Sequence, residues 1–149
     1  MPSGKLLIVD DEESVLVTMK AILEMDGYTV TTTPRGVEAF ELLRQHTFDL
    51  VMTDLRLDDA DGLAVLAEVR RQSPETVTIM LTGYASLDSA VRALREGAYD
   101  YLTKPCDVEE LKATVARGLD RRQLAMQLRA RVADLEEANQ TIRDMNADL

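Results

Sequence analysis

Apolar and polar positions along the 149-residue chain alternate between two spacings. Short apolar blocks at 6–9, 29–32, 50–53, 76–81 and 99–103 predict five strands. The first, third and fourth are continuous apolar blocks, as expected of strands covered on both faces. Helical spacing fills the gaps. Val15, Leu16, Met19, Ile22 and Leu23 mark a first helix, which Gly27 ends. Thr33 and Pro34 predict a cap and first-turn proline for a second helix, with Val37, Phe40 and Leu43 inward. Leu63, Leu66 and Val69 mark a third, and Ala90, Val91 and Leu94 a fourth. Asp107 followed by Glu110 resembles a capping box opening the fifth.

Strict βα alternation predicts an α/β fold, a doubly wound parallel sheet with helices on both faces and right-handed crossovers. Ligands in such sheets bind beyond the carboxyl ends of the strands, where the strand order reverses. After Gly118 the pattern changes to continuous helix without strand or turn signals. Leu128, Leu135, Ile142 and Leu149 recur every seven residues and occupy heptad position d, with Ala125, Val132, Asn139 and Asn146 at a. Arg131 and Glu136 fall on g and the following e, placed to pair between chains. An asparagine at a favours a parallel two-stranded register. The other reading is a single amphipathic helix packed on its own domain; the narrow seam and charged opposite face favour the coiled coil. The expected division is a globular domain over 4–120 and a helical tail over 121–149, continuous with the fifth helix.

Charge sharpens this division. The net charge of −10 and pI near 4.5 argue against direct binding to nucleic acid or an anionic membrane. Residues 117–149 hold six arginines and six acidic residues, so the globular part carries the whole excess. One cysteine, Cys106, excludes an internal disulfide and fits a reducing compartment. No basic leader or run of transmembrane length is present, so a cytoplasmic location is expected.

The candidate chemistry sits where the strands end. Asp10 and Asp11 close the first, Asp54 the third, Thr82 the fourth and Lys104 the fifth. Three converging carboxylates repel one another, and a hard divalent cation such as Mg²⁺ removes the conflict. Asp11 and Asp54 are the expected direct ligands, with Asp10 acting directly or through water. Mg²⁺ beside a free carboxylate oxygen suits phosphoryl transfer to an aspartate. Lys104 and Thr82 then neutralise or bond the remaining phosphoryl oxygens. Pro105 restricts the backbone of Lys104 to a non-helical turn, with a cis linkage open to it.

The segments LLIVDDEE, DLVMTDLRLDDADGL, IMLTGYAS and GAYDYLTKP resemble those of response-regulator receiver domains of two-component signalling, over roughly residues 4–118. The resemblance implies a flavodoxin-like (βα)5 domain with strand order 2-1-3-4-5. It implies Asp54 as phosphoacceptor for a sensor histidine kinase, and Asp10, Asp11, Asp54 and the Arg56 carbonyl around Mg²⁺. Thr82 and Tyr101 correspond to the switch pair, Lys104 to the phosphate-pairing lysine, and Arg56 and Tyr84 to positions that tune phosphoryl lifetime. Such a domain catalyses its own phosphorylation and dephosphorylation, with no separate enzymatic output in this chain. One departure stands out: Asp58 occupies the position of the family's usual proline, inside DDAD, and either loosens the loop or offers an extra carboxylate near the metal.

The expected signal leaves through the face of the fourth helix, fifth strand and fifth helix into a parallel homodimer, with Leu128, Val132, Leu135, Asn139, Ile142 and Leu149 on its seam. LTGYAS and the long fifth helix look like receivers of ATPase-type transcription activators, and an output domain beyond residue 149 is expected without being identified. The competing reading is a receiver-like dimerisation module that is never phosphorylated. A phosphate- or flavin-binding module needs a Gly-rich loop after the first strand, where DDEES stands instead. The lone His46 falls near the end of the second helix, away from the pocket.

Overall fold

A computed structural model describes residues 3–83 and 87–147. Five strands, β1 (Lys5–Val9), β2 (Thr29–Thr33), β3 (Leu50–Asp54), β4 (Val77–Thr82) and β5 (Asp100–Thr103), form one parallel sheet in the order β2-β1-β3-β4-β5. Helices α1 (Glu13–Met25), α2 (Gly36–Gln45), α3 (Gly62–Gln72), α4 (Leu87–Arg95) and α5 (Val108–Ala147) alternate with them. Fold class and strand order are those expected from the sequence.

Side chains alternate across the strands and sort the core into two sides. Leu6, Ile8, Met52, Ile79 and Leu81 pack with Leu16, Met19 and Leu23 of α1 and with Leu111 and Val115 of α5. Leu7, Val9 and Val51 pack oppositely, against Ala39 and Leu43 of α2 and Val65 and Val69 of α3. Leu66, Met80, Ala93 and Ala98 extend that second side toward α4. All residues of β3 and β4 are buried, which accounts for their unbroken apolar spelling.

The helix ends show where local chemistry was read correctly and where it was not. Gly27, at φ 98°, ends α1: its amide bonds the Glu24 carbonyl at 3.0 Å and that of Tyr28 bonds Leu23 at 3.3 Å. Asp107 opens α5 by accepting the Glu110 amide at 3.3 Å. The second helix differs from expectation. Thr33 is the last residue of β2, Arg35 is extended, and α2 starts only at Gly36. Its cap comes from a distant loop, because Asp59 accepts the amides of Gly36 at 2.8 Å and Val37 at 3.1 Å. Val37, expected inward, is 57% exposed. Among the described side chains of α4 the buried ones are Ala90 and Ala93, with Val91 and Leu94 exposed. A small-residue stripe, not the bulkier pair, faces the sheet there.

Helix α5 is a single 40-residue element, so the expected boundary near residue 120 lies inside it. Gly118 is its last buried residue; a Cβ there would stand 3.0 Å from Leu50 and 3.1 Å from Val77 side-chain atoms, so the helix runs close over the sheet. Arg122 reaches Asp49 at 3.0 Å, and Arg129 pairs with Glu75. Asp49 also accepts the Lys5 amide at 2.7 Å, tying the helix to the start of β1. Every described residue beyond Ala125 is exposed. No helix among the described residues is long and apolar enough to cross a membrane.

Candidate functional site

The parallel sheet brings the carboxyl ends of β1, β3, β4 and β5 to one edge, and the predicted polar residues meet there. Asp10, which follows β1, has no exposed surface. One of its oxygens accepts the Glu12 amide at 2.9 Å; the other receives the Lys104 ammonium at 2.9 Å. Asp54, the last residue of β3, is likewise buried and lies 3.0 Å from the same ammonium. Its second oxygen accepts the Arg56 amide at 3.2 Å. Lys104 thus bridges two carboxylates from strands that are not adjacent to its own, and touches Glu12 at 3.3 Å. Burial depresses its pKa, but hydrogen bonds and attraction from Asp10 and Asp54 outweigh that and hold it above the ordinary lysine value.

Position within the elements explains the arrangement. Lys104 follows β5, where its amide bonds the Thr82 carbonyl at 2.7 Å, and the Lys104–Pro105 peptide is cis. Thr82 ends β4 and is buried. Past Asp54 the chain reverses in a short bridge between Arg56 and Asp61, closed by Leu57 N–H to Ala60 at 3.1 Å and Gly62 N–H to Leu55 at 2.9 Å. Those bonds leave the Arg56 carbonyl out of the bridge. The Arg56 side chain is exposed. Tyr101 is half-buried against the Leu66–Met80–Ala93 cluster.

The acidic groups outnumber the one lysine. Donor atoms of Asp10, Asp11 and Glu12 lie within 4.8 Å of one another, a spacing that suits a cation with oxygen ligands. Asp11 has its pKa raised by burial, then by close contact with Asp58 and by the charges of Asp58, Asp54 and Asp10. A buried carboxylate, a second held by like charges and a third sharing one lysine form a donor set that fits a hard divalent cation. Glu12 was not among the residues assigned from sequence; it is the third acidic residue of the run 10–13, in which only the first two were expected to count.

Other predicted positions stand elsewhere. His46 caps the far end of α2, edge-on to Phe48. Cys106 is half-buried beside the α1-side core, and burial pushes its thiol up, away from nucleophilic use. Tyr84 and Leu149 lie outside the described residues.

The response regulator receiver domain family matches residues 6–116. The chain belongs to that family. Among curated relatives, the alginate biosynthesis transcriptional regulatory protein AlgB of Pseudomonas putida is 42% identical over 127 residues, covering 85% of this chain and 28% of the relative. The chain therefore spans little more than a quarter of such a relative. Among solved structures, the CheY-like receiver of Methanospirillum hungatei superposes with a TM-score of 0.79 at 32% identity, covering 83% of this chain and 99% of the other. The beryllofluoride-activated NtrC4 receiver domain dimer does so with a TM-score of 0.76 at 35% identity, over 79% and 98% respectively. The chain is also similar to the DNA-binding transcriptional regulator NtrC of Escherichia coli, 36% identical over 129 residues, covering 87% of this chain and 28% of the relative.

Proposed function

We propose that this receiver accepts a phosphoryl group on Asp54 from a histidine kinase, in a Mg²⁺-dependent reaction, and passes the change to a paired C-terminal helix. The observation that carries the reading is the Lys104 ammonium held 3.0 Å from Asp54 and 2.9 Å from Asp10 at the sheet's carboxyl edge. A carboxylate paired with a cation, with its second oxygen fixed by the Arg56 amide, is oriented as a nucleophile.

In the transfer, the Asp54 oxygen forms a bond to phosphorus as the bond to the donor imidazole breaks, and the imidazole nitrogen retains that electron pair. Asp10, Asp11, Asp54 and the Arg56 carbonyl would hold Mg²⁺, which supplies charge neutralisation for the phosphoryl oxygens when bound. Lys104 exchanges one carboxylate partner for a phosphoryl oxygen, and Thr82 offers its hydroxyl to another. Water on the acyl phosphate is the route back, and the exposed Arg56 side chain borders that approach. Intact-protein mass after acetyl phosphate treatment tests the reading. One added phosphoryl group is expected with Mg²⁺, and none in EDTA or in Asp54→Asn. A wild-type chain that neither gains the adduct nor binds beryllofluoride would favour the unphosphorylated dimerisation module.

The switch runs through Thr82 and the half-buried Tyr101 to the α4–β5–α5 face. The tail supports a parallel homodimer, since Leu128 is 66% and Leu135 68% exposed along one seam with Val132, Asn139 and Ile142. The beryllofluoride-activated NtrC4 receiver domain is itself a dimer. Replacing Leu128 and Leu135 together by aspartate is expected to give a monomer by light scattering that still takes up phosphate. A dimer that survives both substitutions would remove the tail from the assembly. A histidine kinase and an output domain are the partners this scheme requires, in the cytoplasm.

A further inference from the structure

Helix α5 leaves the domain alongside the turn between α3 and β4, and the two enclose a groove of about 760 Å³. Pro74 and Glu75 form one wall, and Ala125, Leu128, Arg129 and Val132 the other. The turn is firm. Its Thr76 amide bonds the Ser73 carbonyl at 3.0 Å, and the Thr76 hydroxyl donates to the Phe48 carbonyl at 2.6 Å. Glu75 pairs with Arg129 and ties the two walls together.

Ala125, Leu128 and Val132 are also the first seam positions of the heptad pattern. In a parallel pair, g of one chain faces the following e of the other. Arg129 occupies e, so that register brings the partner's Leu124, at g, beside it. Leu124 is 64% exposed in the single chain, an apolar residue where coiled coils usually carry charge. Arg129 has its charge committed to Glu75 of its own chain, which leaves its aliphatic stem to be covered. The next turn agrees. Glu136 also lines the groove, and the partner's Arg131 is the g residue that faces it. The seam alone is short of apolar area, because Asn139 and Asn146 hold two of its four a positions. We propose that a second copy of this chain occupies the groove, seating its Leu124 between Pro74 and the Arg129 stem. Each receiver domain then grips the partner's helix as well as its own. The inference rests on the parallel homodimer proposed above and adds the α3–β4 turn to its interface.

Sedimentation equilibrium of the full chain tests it. Leu124→Ala and Pro74→Asp are each expected to weaken dimerisation about tenfold, since a two-fold dimer makes the contact twice. Met126→Ala, at position b away from the seam, is expected to stay within about twofold of wild type. Cross-linking tests the geometry. Chains with Pro74→Cys, mixed with chains with Leu124→Cys and all carrying Cys106→Ser, are expected to be joined by a short bismaleimide into a product holding one of each. Chains with Met126→Cys in place of Leu124→Cys are expected not to join. A wild-type dimer in which Leu124→Ala stays within about twofold, or in which the mixed product does not form, would overturn the proposal. If the double aspartate variant at Leu128 and Leu135 were then monomeric, the tail dimer would stand without the groove. A wild-type chain that is monomeric throughout would overturn both. Phosphoryl uptake from acetyl phosphate shows that each variant's receiver is folded, and the cross-link decides where a variant is not.

Discussion

Replacing Gly62 with alanine is expected to lower the melting temperature by about 12 °C, from roughly 3 kcal/mol of overpacking strain at about 4 °C per kcal/mol for a domain of this size. An added Cβ would press on the Asp54 carbonyl oxygen and stand 2.8 Å from the Leu55 Cα and 3.0 Å from the Asp54 carbonyl carbon. All three are backbone atoms, so no side chain can rotate away. Strand β3 or the start of α3 must move, and the bond from the Gly62 amide to Leu55, 2.9 Å, stands in the way. The same segment carries the Arg56 amide to Asp54, so phosphoryl uptake should fall even below the melting point. Gly83→Ala is the control, because a Cβ there meets nothing within 4 Å. Equal melting of the two variants would contradict the crowding argument.

Replacing Lys104 with methionine should be about as damaging in EDTA. The ammonium lies against Asp10, whose side chain is 0% exposed, and against Asp54, at 11%. Removing one partner of a buried pair costs on the order of 3–5 kcal/mol, because the other charge stays buried without compensation. Added Mg²⁺ should narrow the gap by binding the folded state preferentially. The pH dependence has a definite sign. Burial opposes the lysine charge, but Asp10 and Asp54 raise its folded pKa above the unfolded value of 10.5. Its stabilising contribution is therefore complete below pH 10.5 and lost as pH rises through the folded value. Wild type should lose stability above that pH more steeply than Lys104→Met. Variants melting together in EDTA at pH 7 would show that the lysine does not hold the site.

The parts of the molecule that were legible in sequence share one property, strong local spelling tied to a fixed geometry. Buried parallel strands are written as apolar blocks, so β3 and β4 were found to within one residue at each end. Asp10, Asp54, Thr82 and Lys104 each close such a block, and a parallel sheet leaves strand ends only one edge to share. What escaped depends on contacts between distant segments. The cap of α2 arrives from Asp59, 23 positions from Gly36, and no local pattern points to it. Thr33 and Pro34 spelled a helix start that the extension of β2 overrode. On α4, Ala90, Val91 and Leu94 carried the periodic signal, but only Ala90 of these is buried, together with Ala93, which the reading passed over. Apolar size outweighed position there, since a helix lying close to a sheet is best served by small side chains. Glu12 was missed because its carboxylate acts through a turn, not from a strand end.

The unbroken course of α5 has a consequence for whatever is joined to its far end. At 3.6 residues per turn, each residue inserted beyond the last domain contact turns the attached part by about 100° and advances it about 1.5 Å. Arg122 and Arg129 fix the starting azimuth against Asp49 and Glu75. Insertions of seven residues would almost restore the original phase, whereas insertions of two would turn a fused module about 200° away. The helix is thus an angular ruler, and tolerance to insertion should rise and fall with the helical repeat instead of declining smoothly with length.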